Sequence, residues 1–289
     1  MSQRVDPGRT YPHYTTIPKI ISGLDSDSVQ SIQSLYSRVF HNLVPVSSPE
    51  VAEMTKLYEN CQRMMCIAYA NEMADACAQL SHSLSEKQAM DTKTFQVPEA
   101  ISIDPLEVSR AAATKPFGYM PYTPSLGVGG HCIPCNPLYL LSNSSFPLLE
   151  ACTTRMRERP ARLGDQLIST LRSRKFAPSH ERLRILVVGL GFKRGQSVLS
   201  HSPGLALATH LLASYNVHVE YADPLVDSDS AAVKAIPRLN VEGGEWSVTN
   251  LRSFDGVVVA VDQPGLDLEV LRRVQGLGTH VEWFVDSKR

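Results

Sequence analysis

The 289 residues carry 28 Lys+Arg against 29 Asp+Glu, a formal net charge of −1, with 43% hydrophobic and 20% charged residues. That balance excludes a disordered chain and the basic stripe of a nucleic-acid binder. No apolar run approaches the ~20 residues that span a bilayer. The polar start MSQRVDPGRTYPHY has no apolar leader core, and six cysteines are too few for a disulfide scaffold. The expectation is a soluble, cytoplasmic protein in a reducing compartment, with no nucleic-acid or membrane partner, and long enough for one large domain or two ordinary ones.

In chain order, KIISG (19–23) reads as a strand and 26–40 as a helix, with apolar Val29, Ile32, Leu35, Val39 and Phe40 at helical spacing. The strand is too isolated for a sheet and needs partners that residues 1–45 are not expected to supply. A strong helix start follows, with Ser48 as N-cap, Pro49 as first helical residue and Glu50 as first-turn acid. The pattern runs to about Leu80 without Gly or Pro. Such a helix is about 45 Å long at ~1.5 Å per residue, apolar around much of its circumference, and suited to a domain centre or a two-fold dimer interface. Met54, Met64, Met65 and Met73 read as core or dimer packing.

Residues 81–102 turn polar and read as a loop or a partly helical insertion. A helix is predicted over 105–113, then a turn-rich stretch, KPFGYMPYTPSLGVGGHCIPCNP. Helices resume around 138–141 and from Leu148 to Leu171, with a break or kink at Pro160. Arg155, Arg157 and Arg159 read as a solvated helix face. After that the pattern changes: strands at 184–191, 218–224, 257–261 and 281–285, and a helix at 203–214, alternate as in a parallel, doubly wound α/β domain. The expected fold class is α/β, with a remnant at 1–45, a helical central domain with its cysteine loop at 46–165, and a Rossmann-like domain at 166–289.

Gly127, Gly129 and Gly130 lead to Cys132 in the string PSLGVGGHCIP. Glycines let backbone approach a ligand closely, and a cysteine behind them invites a nucleophile reading; a buried, inert thiol is the plainer one. Cys132 and Cys135, with His131 beside them, also spell a redox couple or half a zinc site, but no second pair of ligands is in view, so no metal is expected.

The string resembles the catalytic loop of the nucleotide-sugar 6-dehydrogenases that act on UDP-glucose, UDP-N-acetylhexosamines and GDP-mannose. So does TKPFGYMPYTPSLGVGGHCIP around it. VSSPEVAEMTKLYENCQRMMCIAYANEMA resembles that family's central helix, and LRILVVGLGFKRGQSVLSHSP with ADP at 222–224 the start of its C-terminal domain. RVDPGRT resembles the end of its N-terminal domain. The resemblance implies an alcohol oxidised twice to a carboxylate through a thioester on Cys132. It places Lys56 and Asn60, on one helix face by their i,i+4 spacing, as the groups that stabilise oxyanions. It implies substrate contacts from Gly127, Gly129, Gly130, Asn136, Phe192 and Lys193, and a homodimer through the helix from Pro49.

Four departures accompany it. The family's dinucleotide domain would precede Met1 and is expected to be absent, and Gly189-x-Gly191, with Arg194 at the third glycine position, fails as a replacement fingerprint. Gln3 and Asn136 stand where the family has a glutamate and an aspartate, and Ser200 where it has an arginine that reaches the sugar. Amides keep the hydrogen bonds of carboxylates but take no proton at neutral pH. Asp223 is either a ribose ligand or a strand-end turn residue. The function expected is NAD-independent chemistry on a small organic substrate in a biosynthetic pathway: acyl, thioester or carbonyl chemistry at Cys132, or cyclisation or isomerisation in the inherited cleft. The alternatives are a dehydrogenase completed by another chain and a non-catalytic nucleotide-sugar-binding scaffold.

Overall fold

The computed structural model describes residues 6, 9–91, 101–174 and 182–285. The elements in chain order are β1 (Lys19–Ile21), α1 (Ser26–Tyr36), β2 (Leu43–Pro45), α2 (Pro49–Asp91), α3 (Pro105–Ala112), α4 (Cys135–Leu141), α5 (Pro147–Arg174), β3 (Leu183–Val188), α6 (Pro203–Ser214), β4 (Val217–Ala222), α7 (Val248–Leu251), β5 (Gly256–Val259), α8 (Glu269–Gly276) and β6 (His280–Trp283). The chain divides into two compact units, Met1–Met64 with Cys132–Glu150 and Met65–His131 with Ala151–Arg289.

In the first unit β1 pairs in parallel with β2, Lys19 opposite Leu43 and Ile21 opposite Pro45. The isolated strand expected from the sequence therefore has a partner within its own segment. β2 is three residues ending in proline, too short to show alternation, and proline at a strand end costs no ladder bond. The crossover helix α1 is capped by Asp25, whose carboxylate accepts from the Ser28 N–H at 2.7 Å.

α2 begins as its N-terminal residues dictate, with the Val51 N–H turned to the Ser48 hydroxyl. It runs on to Asp91, eleven residues past the predicted end at Leu80. In the polar run after Leu80 the serines fold back onto the preceding helical turn: Ser81 donates to Cys77 O at 2.7 Å and Ser85 to Ser81 O at 2.9 Å. Ser81 Oγ also accepts from the Ile103 N–H of the returning chain at 2.9 Å.

In the second unit α5 passes unbroken through Pro160, where a break or kink was expected. β3–β6 form one parallel sheet in the order β4-β3-β5-β6. Successive β3 residues enter opposite cores. Ile185 and Val187 pack with Leu167, Ile168 and Leu171 of α5 and Leu207 and Leu211 of α6, while Leu186 and Val188 pack with Leu251 of α7 and Leu271 and Val274 of α8. A parallel sheet buried on both faces reads as a continuous apolar run, as LRILVV does. Leu126, just ahead of the glycines, belongs to the α5/α6 core and is fully buried. Among the described residues, no helix is long and apolar enough to cross a membrane.

Candidate functional site around Cys132

The residues singled out in the sequence fall into two clusters, one in each compact unit. In the first unit Asn60 and Asn136 meet: the Asn60 side-chain N–H donates to Asn136 Oδ1 at 2.5 Å. Asn136 in turn donates its backbone N–H to Cys132 O at 2.9 Å. The bond closes one helical turn over 132–136, and α4 starts inside that turn at Cys135. Asn60 is thereby tied to the turn that carries the exposed Cys132 thiol. Lys56 lies one helical turn before Asn60 on the same face of α2.

β1 brings a second cation to this unit. The Lys19 ammonium lies 5.6 Å from the Tyr36 ring centre and 5.4 Å from that of Phe40. Burial, and then the like charge of Lys56, hold its pKa below the ordinary lysine value. Lys19 was read only as the start of a strand, because its neighbours Tyr36 and Phe40 become neighbours only when α1 folds back.

In the second unit the close approach that the glycines permit is to protein. A Cβ on Gly129 would lie 2.9 Å from Phe192 Cβ and 3.1 Å from His201 O. Gly130, at φ +92°, would place one 2.9 Å from Phe192 Cε2. The Gly130 N–H donates to Ser200 O at 2.8 Å, and Gly127 packs on Pro203. Phe192 is thus framed by the glycine loop. Lys193 sits in a short loop closed by Phe192 N–H to Val198 O at 3.0 Å.

That loop rests on two buried polar residues. Asp223 Oδ2 accepts from the N–H groups of Leu190 and Gly191 at 2.8 and 2.9 Å and from Gln263 at 3.2 Å, and its other oxygen accepts from Leu225 N–H at 2.9 Å. These bonds are those expected of the strand-end turn. Gln263 donates to Gln196 O at 3.0 Å and accepts from Gly195 N–H at 2.8 Å, and the sequence offered no signal for it.

The start of the cysteine loop has an anchor of its own. Asn71, fully buried, accepts from the Ser125 N–H at 2.7 Å, and Arg159 Nε donates to Ser125 O at 3.0 Å. Arg159 also pairs with Asp75 at 2.8 Å, which Arg162 reaches at 2.6 Å. Burial pushes the Asp75 carboxyl up, but the hydrogen bonds and charges of the two arginines outweigh it and hold the pKa below the usual range. Arg159 is therefore not on a solvated face as expected; it is buried at 2% exposure, while Arg157 is exposed and Arg155 pairs with Glu72. Among the described residues no cluster of three or more His, Cys, Asp or Glu side chains could hold a metal ion.

One unit carries a cysteine turn and the other a parallel α/β sheet, and the two together define the class. The model of the UDP-glucose/GDP-mannose dehydrogenase family central domain matches residues 50–92 and 89–153. UDP-N-acetyl-D-glucosamine 6-dehydrogenase of Pseudomonas aeruginosa is 27% identical over 270 residues, 90% of this chain and 55% of that protein. UDP-N-acetyl-D-mannosamine dehydrogenase of Pyrococcus horikoshii is 29% identical over 264 residues, 91% of this chain and 54% of that one. Among solved structures, the UDP-D-ManNAc dehydrogenase of Pyrococcus horikoshii superposes with a TM-score of 0.73 at 24% identity, covering 97% of this chain and 63% of that one. The UDP-glucose dehydrogenase of Pyrobaculum islandicum gives 0.67 at 19% identity, over 88% and 54%. At these identities the structural likeness shows the fold alone. Residues 50–153 thus resemble the central domain of the UDP-glucose/GDP-mannose dehydrogenases, and the chain spans about half the length of the curated relatives it matches.

Proposed function

We propose that this protein catalyses acyl transfer through Cys132 on a small organic substrate, without hydride transfer. The observation that carries the reading is the Asn60–Asn136 bond. An amide occupies position 136, where the family resemblance places a carboxylate, and it is spent on its neighbour's amide. An amide pair orients and donates, but it takes no proton from an alcohol or from attacking water. What remains is a thiol, a cation at Lys56 and amide N–H groups, the parts that bind a tetrahedral oxyanion. The Cys132 sulfur attacks an acyl carbon, the leaving group departs with the thiol proton, and an S-acyl enzyme results. Asn136 lies beside the acyl group in this reading.

The protein acts as a homodimer in this proposal. Along α2 the half before Met64 exposes Val51, Met54 and Tyr58, and the half after it exposes Tyr69, Met73, Leu80 and Leu84. Large exposed apolar side chains spaced along one helix mark an interaction surface. A sedimentation mass of one chain would refute the dimer.

The test of the main reading is release of thiol or phenol from a panel of acyl thioesters and aryl esters by the unaltered chain and by Cys132→Ala. A burst of about one thiol or phenol per chain that is lost in Cys132→Ala supports the reading, and equal release in both overturns it. One observation favours a second reading, a nucleotide-sugar dehydrogenase module completed by another chain: the matched relatives are named as dehydrogenases and this chain covers about half of each. NADH formation from UDP-sugars on mixing with a partner chain would establish that instead.

A further inference from the structure

Six cysteines occur in the chain, and Cys132 and Cys135 are the pair that lies within one turn in sequence. The bond from Asn136 N–H to Cys132 O makes that stretch a helical turn, and Pro134 between them is helical at φ −69°, ψ −30°. Residues at i and i+3 of such a turn hold their Cβ atoms about 5–6 Å apart on one side. A disulfide wants roughly 3.8 Å between Cβ atoms and tolerates the Cα spacing of a helical turn. Closing the pair therefore needs the turn to tighten, at the open end of the short helix α4. Cys132 is exposed and Cys135 half-buried, so an incoming reagent meets Cys132 first. Cys61 and Cys152 are poorer partners, since burial raises both thiol pKa values.

We propose that Cys132 and Cys135 form a reversible disulfide, with low-molecular-weight disulfides as the oxidant, so that the cysteine turn is a thiol switch. The Cys132 thiolate attacks one sulfur of the small disulfide, forming a mixed disulfide and releasing one small thiolate, which takes up the proton. The Cys135 thiolate then attacks the Cys132 sulfur and releases the second small thiol. Two protein thiols are oxidised, one small disulfide is reduced to two thiols, and no other reactant is consumed. A bond that tightens its turn is strained, and strained, exposed disulfides are the readily reduced kind. The consequence for activity, that oxidation removes the nucleophile, rests on the reading of Cys132 given above; the disulfide itself does not.

The test is incubation of the whole chain with oxidised glutathione, acid quenching, alkylation and peptide mapping. The expected result is a Cys132–Cys135 linkage, a loss of two alkylatable thiols, and full recovery with dithiothreitol. Cys135→Ser should stall as a glutathione adduct on Cys132. An adduct on Cys132 that accumulates equally in the unaltered chain overturns the proposal, and so does a Cys132 that stays reduced throughout. Both readouts are thiol states, so they stand apart from the outcome of the acyl-transfer assay.

Discussion

Asn60 on α2 donates to Asn136 on α4 at 2.5 Å, and Asn136 is bonded through its backbone to Cys132. Two amides thus face each other one turn from the cysteine. A position that carried a carboxylate would accept the same Asn60 bond and add a proton acceptor.

Asn136→Asp therefore isolates the base. The substitution should speed hydrolysis of an S-acyl group on Cys132 by ~10²-fold or more, the scale of general-base catalysis. The hydrolysis rate should rise with pH through the new carboxylate's pKa, near or below about 4 given the Asn60 hydrogen bond to its charged form. Stopped-flow decay of the acyl-enzyme checks this, and an unchanged rate would separate position 136 from the chemistry.

Lys56→Met tests the cation. Acylation of Cys132 should slow by about 10²-fold if Lys56 stabilises the oxyanion. The same substitution should raise the Lys19 pKa, because the like charge that helps depress it is gone while burial remains. NMR titration of isotope-labelled lysine side chains reads that shift independently of activity.

Much of this was legible in sequence, and the failures share a cause. The helix from Pro49, the helix 203–214 and the apolar strands appear because their signals are local: a cap, a proline at N1, a run of β-branched residues. The anchors of the cysteine loop do not. Arg159 looked like one of three charges on a helix surface, and Asn71 was not singled out. Both are defined by partners more than thirty residues away, Ser125 and Asp75. The glycines were read as an approach to ligand, and in the second unit they are in contact with Phe192 and Pro203. No spacing rule distinguishes backbone meeting ligand from backbone meeting a phenyl ring.

Asp75→Asn should destabilise the second unit by about 3 kcal/mol, because it strips the partner from a nearly buried arginine. The sign with pH follows from the depressed carboxyl pKa. Its contribution is fully present above the unfolded value of about 3.9 and is lost as pH falls through the lower folded value. Urea melts at descending pH should show the unaltered protein and Asp75→Asn converging in acid; a constant gap would contradict the assignment.

Gly130→Ala and Gly195→Ala separate contact from conformation. Both glycines have positive φ, +92° and +74°, but a Cβ at 195 meets nothing within 4 Å while one at 130 meets the Phe192 ring at 2.9 Å. Gly195→Ala should cost ~1 kcal/mol of backbone strain. Gly130→Ala should cost that plus roughly 1–3 kcal/mol for moving Phe192. Equal thermal shifts would mean that the ring yields freely.

The central claim is that Cys132 takes an acyl group and, lacking a carboxylate beside it, holds it. Intact-mass and peptide mapping after brief exposure to an acyl thioester tests that most directly. The account predicts an S-acyl group on Cys132 that outlives removal of the donor, with Cys61, Cys66, Cys77 and Cys152 unmodified. An unacylated Cys132, or acylation spread evenly over the exposed and half-buried thiols, would contradict it.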